Sequence, residues 1–370
     1  MKKSTIYTYI ILFLIICIIP TPVYSLLKSA INKNNYENRV EAQAPVFNLS
    51  TIEAYPAEYE AYFNDSVPFR SQLIEINSII NYFVFKQSPV SRVERGKSDW
   101  LFYNPKGTDG DPMADFTGTN HLTQSELSEY ATNLILARDT LLSQGKEFVV
   151  MVAPNKATIY GEEYLGKKYQ KAEETKADLL VKYLRKNTDL NVVYPKDSLF
   201  DAKKELNNHI LYYKTDTHWN SLGAYVGTKD LLAAVDITLP DINSLDIVEF
   251  TKGPGDLANM AALSKHLKAD TDYKLDNYGT NITVNQTFPV ENNNKIVGFT
   301  AEGLDERSLL LIHDSFSESM IPYLSKQFNN LHTIHTSYYN PEYLAQVDAD
   351  IVVLEVVERY IPNLLSFKVQ

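Results

Sequence analysis

Residues 308–316 read SLLLIHDSF, and the fold turns on how that stretch is understood. Leu309 to Ile312 are apolar without alternation, the pattern of a strand buried on both faces, as in a parallel sheet covered by helices. The run ends at His313-Asp-Ser-Phe316, and a helix-like segment, Glu318–Phe328, follows. A buried strand that gives way through a polar turn to a helix is half of a βα unit. It places Ser315 at the strand end, where such sheets gather their functional groups. The same cycle recurs elsewhere. Lys146–Ala153 is another apolar run, ended by Pro154, and Leu190–Tyr194 and Asp350–Leu354 read as further strands. Helices lie between them. Thr123-Gln-Ser-Glu126 spells a capping box, Leu127, Tyr130, Leu134, Ala137 and Leu141 keep helical spacing, and Gly145 supplies the stop. Leu179, Val181, Tyr183 and Leu184 mark a second helix, and Leu222, Val226, Leu231 and Leu232 a third. Strands separated by helices predict an α/β domain whose mainly parallel sheet is covered on both faces.

Residues 268–306 depart from this cycle. They alternate loosely around Ile282, Val284, Phe288 and Val297, with a turn at Asn292–Asn294, and predict a small antiparallel insertion. Ahead of the main domain, Leu73, Ile76, Ile79, Ile80, Phe83 and Phe85 suggest a helical stalk over Ile52–Gln87, interrupted at Pro68-Phe69-Arg70. Residues 26 to about 52, with Asn32-Lys-Asn-Asn35, read as a polar linker. At the start, Lys2 and Lys3 precede the apolar run Ile6–Ile19, and Pro20, Pro22 and Ser25 follow, as in a signal peptide or an uncleaved signal anchor. Ile6–Ile19 spans about 21 Å as a helix, short of the ~30 Å hydrocarbon core, but extension through Val23 nearly closes the gap. An anchor is favoured, with a cleaved signal as its rival, and either puts residues beyond about 26 outside the cytoplasm. The expected division is 1–25 signal anchor or signal peptide, 26–90 linker and stalk, and 91–370 main domain, with 268–306 as the β insertion.

Composition narrows the function classes. The chain has 370 residues, 44% of them hydrophobic and 22% charged, as a globular protein has. A formal net charge of -11 argues against a binder of phosphate backbones, so no nucleic-acid partner is expected. The one cysteine, Cys17, lies in the apolar run, which leaves the body without a disulfide, a cysteine metal site or a thiol nucleophile.

A serine hydroxyl is too weakly acidic to attack an ester unaided, and Ser315 therefore needs a base near neutral pH and a group that orients it. YYKTDTHWNSLGAY, residues 212–225, offers both in Asp216 and His218. Residues two apart on a helix point away from each other, but helix onset at Asn220-Ser221 leaves this pair in a loop where they can meet. The residues alone leave other readings open. Ser315 is also a reasonable N-cap, and Asp216 and His218 are also reasonable turn residues or metal ligands with His209 as a third, although no metal is expected. His313 is a rival base, but its place next to Ser315 on extended chain sends it to the opposite face. Trp219, Trp100 and the abundant tyrosines are candidate stacking surfaces for sugar rings. Asn155, just beyond a strand in Ala153-Pro-Asn-Lys156, is a candidate substrate or oxyanion contact, with a plain turn residue as the alternative.

Five segments, in order, resemble the blocks of the alginate O-acetyltransferase AlgJ/AlgX-like family. They are Gly96-Lys-Ser-Asp-Trp-Leu-Phe-Tyr103, Asp216-Thr-His-Trp219, Gly255-Asp-Leu-Ala-Asn-Met260, Asp314-Ser-Phe316 and Val357-Glu-Arg-Tyr360. The likeness extends from about Ser66 to Tyr360. It implies a three-layer SGNH-hydrolase-like (flavodoxin-like) α/β domain, with Ser315 as nucleophile, His218 as base and Asp216 as its orienting acid, and no cofactor. It further implies an exported enzyme that moves acetyl groups onto a polysaccharide, with a multi-pass membrane O-acyltransferase as the partner that supplies them. The family's signature is Asp-His-His-Trp, and Thr217 stands here in place of its first histidine. With water as acceptor the same triad would make a carbohydrate esterase, and loss of activity would leave a polysaccharide-binding or scaffolding partner.

Overall fold

The computed structural model describes residues 3–27, 29, 36, 40–107, 110–206, 208–290, 293–302 and 305–369. Asn32–Asn35 of the expected linker and Asn292 of the expected turn lie outside the described residues. The chain divides into two compact units, Met1–Val90 with Ala258–His266, and Ser91–Leu257 with Leu267–Gln370.

In the larger unit the apolar runs become the middle of a seven-stranded sheet. Its order is Asn191–Val193, Glu147–Ala153, Ile351–Val357, Asp305–His313, Phe328–His335, Ile296–Ala301 and Val284–Thr287. The first five strands are mutually parallel, and the last two add antiparallel to the edge. Alternate residues of the central strands enter opposite cores. Val149, Met151, Leu309, Leu311 and Val353 pack with the helices Lys156–Tyr164, Lys196–Glu205 and Ser221–Ala233. Val150, Val152, Leu310, Ile312, Val352 and Leu354 pack with Gln124–Ser143 and Lys176–Asn187. The domain is thus a three-layer α/β sandwich. Each such side chain contributes about 1.5–3 kcal/mol on burial, on either face, which is why the strands read as unbroken apolar runs. The capping box at Thr123 and Glu126 forms as expected, and Thr175 with Asp178 makes a second one.

Register places the site. Ala153 lies beside Val357, and His313 beside His335, so the parallel strands end along one edge of the sheet. Ser315 follows His313 there.

Two elements differ from the sequence reading. Where a helix was expected over Glu318–Phe328, the chain makes a 3-10 turn at Ser317–Ser319, a single-turn helix at Ile321–Leu324, and then the strand Phe328–His335. Met320, Tyr323 and Leu324 keep helical spacing, but Pro322 is tolerated only in a first turn and the polar residues after Leu324 end the helix. The expected insertion is also divided. Asp270–Leu275 pairs with Ile247–Lys252 in a separate two-stranded sheet, while Val284–Thr287 and Ile296–Ala301 extend the main one.

The regular elements described in the smaller unit are helices and turns. Tyr55–Ser66 and Arg70–Ile79 are helices, the second continuing into a wide turn at Ile80–Val84. The break between them falls at the expected Pro68-Phe69-Arg70, with Phe69 in the left-handed region at φ 59°. Thr5–Leu27 is long and apolar enough to cross a membrane, with a mean hydropathy of 2.5.

Candidate active site

The loop that carries Asp216 and His218 is fixed from several sides. The Asn220 side chain accepts from the N–H groups of Leu222 and Gly223 at 3.0 and 3.2 Å, so the helix Ser221–Ala233 begins after it and the preceding residues are free of helical geometry. The Lys156 ammonium, beneath this loop, donates to the carbonyls of Tyr213 and Lys214 at 3.2 Å each and of Asp216 at 2.5 Å. Asp270 accepts from the N–H groups of Lys214 and Thr215 at 2.8 and 3.1 Å. Trp219, wholly buried, donates its indole N–H to the Phe316 carbonyl at 2.8 Å and ties this loop to the Ser315 turn.

Held in this way, the three residues come together. Asp216 Oδ1 lies 2.6 Å from His218 Nδ1, and His218 Nε2 lies 2.8 Å from Ser315 Oγ. Asp216 Oδ1 also accepts the His218 N–H at 3.0 Å, and Oδ2 accepts the Asp256 N–H at 3.1 Å. Burial alone would raise the Asp216 carboxyl, but the hydrogen bond to His218, the charge of His218 and the two backbone donors outweigh it and hold it well below the usual range. An ionised Asp216 can only accept, so Nδ1 is the protonated ring nitrogen and Nε2 turns its lone pair to the Ser315 hydroxyl.

Gly255 makes room for this arrangement. A Cβ there would lie 2.3 Å from Asp216 Cβ and 2.4 Å from its Oδ2, so no other residue fits without moving the carboxylate. The next residue, Asp256, accepts the Thr217 N–H at 2.8 Å and the Thr217 hydroxyl at 2.6 Å. Burial and the neighbouring Asp216 charge push the Asp256 carboxyl up, opposed by His218 and the Thr217 donors. Asp216, His218 and Asp256 bring ligand atoms within 4.8 Å of one another, as a cation site would. Those atoms are already engaged with one another, with Ser315 or with Thr217. His209, the third ligand considered from the sequence, packs its ring on Tyr273 instead, with centroids 5.2 Å apart.

The Ser315 turn has its own supports. Asp314 accepts from the N–H groups of Phe316 and Val357 at 2.9 and 2.8 Å. The buried Glu355 accepts from the Asp314 N–H at 3.2 Å and the Ser317 hydroxyl at 2.9 Å. Burial, then the charge of Asp314, pushes Glu355 well above the carboxylate range. His313 sets Nδ1 against the Asp314 carbonyl at 2.6 Å and its ring edge-on to His335 at 5.8 Å, and burial lowers it. Ser315 itself forms part of the wall of a cavity of about 560 Å³.

The remaining sequence candidates are placed as follows. Trp219 is 0% and Trp100 1% exposed, so neither offers a face to a sugar ring, which corrects their reading as stacking surfaces. Trp100 stacks instead on Tyr160 and Tyr164, with centroids 4.4 and 4.6 Å away. Asn155 lies at its strand end, buried, with Nδ2 donating to Asp115 at 3.1 Å and Oδ1 accepting from Arg359 at 3.2 Å. Both ends of its amide are thus engaged within the protein. Phe316 N–H is held by Asp314, and the segment after Ser315 is a 3-10 turn. Lys156, Gly255 and Asp256 were missed as site residues. Gly255-Asp256 stood out as a segment, but its pairing with Asp216 spans a separation that no local pattern encodes.

Comparison with known proteins adds the following. A family model described as SGNH hydrolase-like domain, acetyltransferase AlgX, matches residues 93–323. A probable alginate O-acetylase AlgJ of Pseudomonas putida is 26% identical over 194 residues, 52% of this chain and 45% of that protein. The chain thus spans about half the length of the curated relatives it matches. A DHHW family protein from Eubacterium siraeum superposes with a TM-score of 0.50 at 16% identity, covering 75% of this chain and 98% of that one. Bacillus cereus PatB1 with a sulfonyl adduct also gives 0.50 at 16% identity, over 74% and 97%. At such identities these two structures speak to the fold alone.

Proposed function

The chain belongs to the family of SGNH hydrolase-like domains typified by the acetyltransferase AlgX, and we propose from that premise that residues 91–370 form an extracytoplasmic O-acetyltransferase that modifies an exported or cell-surface polysaccharide. The observation that carries the reading is the continuous hydrogen-bonded line from Asp216 through His218 to Ser315. Ser315 Oγ attacks the carbonyl carbon of an acetyl donor as its proton moves to His218 Nε2, and Asp216 holds the resulting imidazolium. The imidazolium returns the proton to the departing donor oxygen, leaving acetyl-Ser315. A sugar hydroxyl then attacks the acetyl carbon and gives its proton to His218, the bond to Oγ breaks, and Oγ recovers the proton. Thr5–Leu27 would anchor the domain to the membrane, where a multi-pass O-acyltransferase would supply acetyl groups.

Water in place of the sugar turns the same steps into ester hydrolysis, so access of the acceptor decides between transferase and esterase. The test uses the full-length chain, 4-nitrophenyl acetate and an oligosaccharide mixture, with acetylated Ser315 peptide and acetylated sugar read by mass spectrometry. Sugar acetylation that disappears in Ser315→Ala supports transfer. Acetate release insensitive to every acceptor favours the esterase, and full activity in Ser315→Ala refutes the proposed triad.

A further inference from the structure

In the smaller unit, the helix Arg70–Ile79 and the wide turn Ile80–Val84 that continues it carry their amphipathic pattern inside out. Leu73, Ile76, Ile80, Phe83 and Val84 share one helical face about 100° wide, the width of stripe that ordinarily packs on a core. Here that stripe faces outward, with Leu73 55%, Ile76 53% and Val84 67% exposed and Ile80 and Phe83 exposed as well. The opposite face is the covered one. It holds Ser78 and Tyr82, 0% and 1% exposed, and Glu75, which accepts from the Tyr36 hydroxyl at 3.1 Å and sets Oε1 2.7 Å from His266 Nε2. A helix that buries its polar residues and turns its apolar ones to water is built for a second apolar medium. We propose that this stripe lies in the membrane–water interface, as an in-plane contact beside the span Thr5–Leu27, an inference that rests on reading that span as an anchor.

The occupant follows from what adjoins the stripe. Tyr24, near the end of Thr5–Leu27, sets its ring edge-on to Phe69 with centroids 5.3 Å apart, and the helix starts directly after Phe69. The stripe therefore begins where the apolar segment ends, which for an inserted span is the headgroup boundary. Interfacial helices bury their apolar face about 5–10 Å into that boundary, with Phe and Leu prominent on it. Phe85 adds an exposed ring beyond the stripe, and Tyr59 and Phe63 add two on the preceding helix, Tyr55–Ser66. Lys86, exposed next to Phe85, has a stem that can lie along acyl chains while its ammonium stays with the phosphates. A helix of another chain is the rival occupant, but Arg70–Val84 covers only about two heptads, short of the about three to four that a coiled coil needs. One contact across the bilayer and one along its surface restrict how the smaller unit turns about its span.

The experiment places the full-length chain in vesicles of phosphatidylcholine and phosphatidylglycerol, with or without lipids that carry a doxyl quencher near the headgroup. Cys17→Ser is combined in turn with Ile76→Cys, Phe83→Cys or Leu136→Cys, each labelled with the fluorophore NBD and each checked for a wild-type thermal melt. Leu136, 64% exposed on a helix of the larger unit, reports the aqueous phase. Labels at Ile76 and Phe83 are expected to emit further to the blue than the one at Leu136 and to be quenched at least about twice as strongly. Quenching no greater than at Leu136 overturns the proposal. So does a blue shift without lipid quenching, which marks a second protein chain as the occupant. A label on the native Cys17, read with a quencher near the bilayer centre, tests the anchor separately. Quenching at Cys17 but not at Ile76 and Phe83 keeps the anchor and removes the in-plane contact. Quenching at Ile76 and Phe83 but not at Cys17 removes the anchor and supports the in-plane contact by itself.

Discussion

Replacing Lys156 by methionine would separate holding the reactive loop from reacting. Burial pushes the Lys156 ammonium down to about 8 from 10.5, against the pull of Asp256, Asp216 and Asp270. That difference corresponds to about 3 kcal/mol of lost stability near neutral pH. Below about 8 both folded and unfolded chains hold the proton, and the cost is fully present. Between about 8 and 10.5 only the unfolded chain holds it, so stability rises with pH. Methionine removes the cost but leaves the carbonyls of Tyr213 and Asp216 without their ammonium partner, whereas the Lys214 carbonyl keeps the Leu101 N–H at 2.9 Å. Two orphaned carbonyls cost about 2–6 kcal/mol, so the net loss at pH 7 is at most about 3 kcal/mol. Activity suffers more, because a misplacement of about 1 Å in a positioned group costs up to about 100-fold. The expected kcat/KM for 4-nitrophenyl acetate is roughly 10- to 100-fold below wild type. The wild-type rate falls as pH rises through about 8, because the ammonium clamp weakens while stability improves, and the variant lacks both trends. The assay is kcat/KM from about pH 6 to 10 beside urea unfolding at each pH, a window that spans the Lys156 titration. A variant with wild-type kcat/KM, or one that keeps the alkaline fall, refutes the argument.

Gly255→Ala puts a methyl group 2.4 Å from Asp216 Oδ2, and is expected to lower kcat/KM at least about 100-fold while costing about 1–3 kcal/mol, checked by kinetics beside thermal melting. Asp216→Asn keeps the shape but lets His218 take the wrong tautomer, and is expected to lower kcat by about 10⁴-fold with the fold intact by circular dichroism. The same variant loses a carboxylate held below its ordinary range, whose stabilisation is present above the unfolded value near 3.8 and is lost as pH falls through the depressed folded one. Its stability to urea should therefore differ little from wild type at the lowest pH and fall below it once pH rises past the unfolded value. Burial pushes Glu358 up to about 7 from 4.5, against Thr158, Tyr194 and the Asn155 N–H. The folded chain alone holds that proton between the two values, so stability falls as pH rises across them, and Glu358→Gln is expected to gain about 1–3 kcal/mol at pH 8 and little at pH 4 by urea unfolding.

Much of the fold was legible because its signals are local. The unbroken run at Leu309–Ile312, the capping box at Thr123 and Glu126, and the break at Pro68-Phe69-Arg70 each encode their structure within a few residues. Phe328–His335 was not legible. Its polar Asn329, Asn330 and His332 interrupt the apolar pattern, and only pairing with Asp305–His313 and Ile296–Ala301 makes it a strand. In the site, Asp216 and His218 were legible through their own spacing and the Asn220 cap. Lys156 and Gly255 were not, since their importance lies in meeting a loop far along the chain. Trp219 misled for a different reason. A tryptophan next to a reactive histidine suggests a ligand surface, but here its indole packs on Phe316 and fixes the backbone that brings the two loops together.

Thr217 is where the chain leaves the Asp-His-His-Trp signature, and the geometry gives that departure a physical consequence. A second carboxylate, Asp256, lies close enough to His218 to compete with Asp216 for the Nδ1 proton, since their ligand atoms fall within 4.8 Å. Competition would pull the ring away from Ser315 or trap a proton between two acids. The Thr217 N–H and hydroxyl each donate to one oxygen of Asp256, and the hydroxyl lies 3.2 Å from His218 Nδ1. Asp256 in turn gives Asp216 its backbone N–H. Thr217 therefore engages both oxygens of Asp256 and leaves Asp216 as the acid hydrogen-bonded to the imidazole.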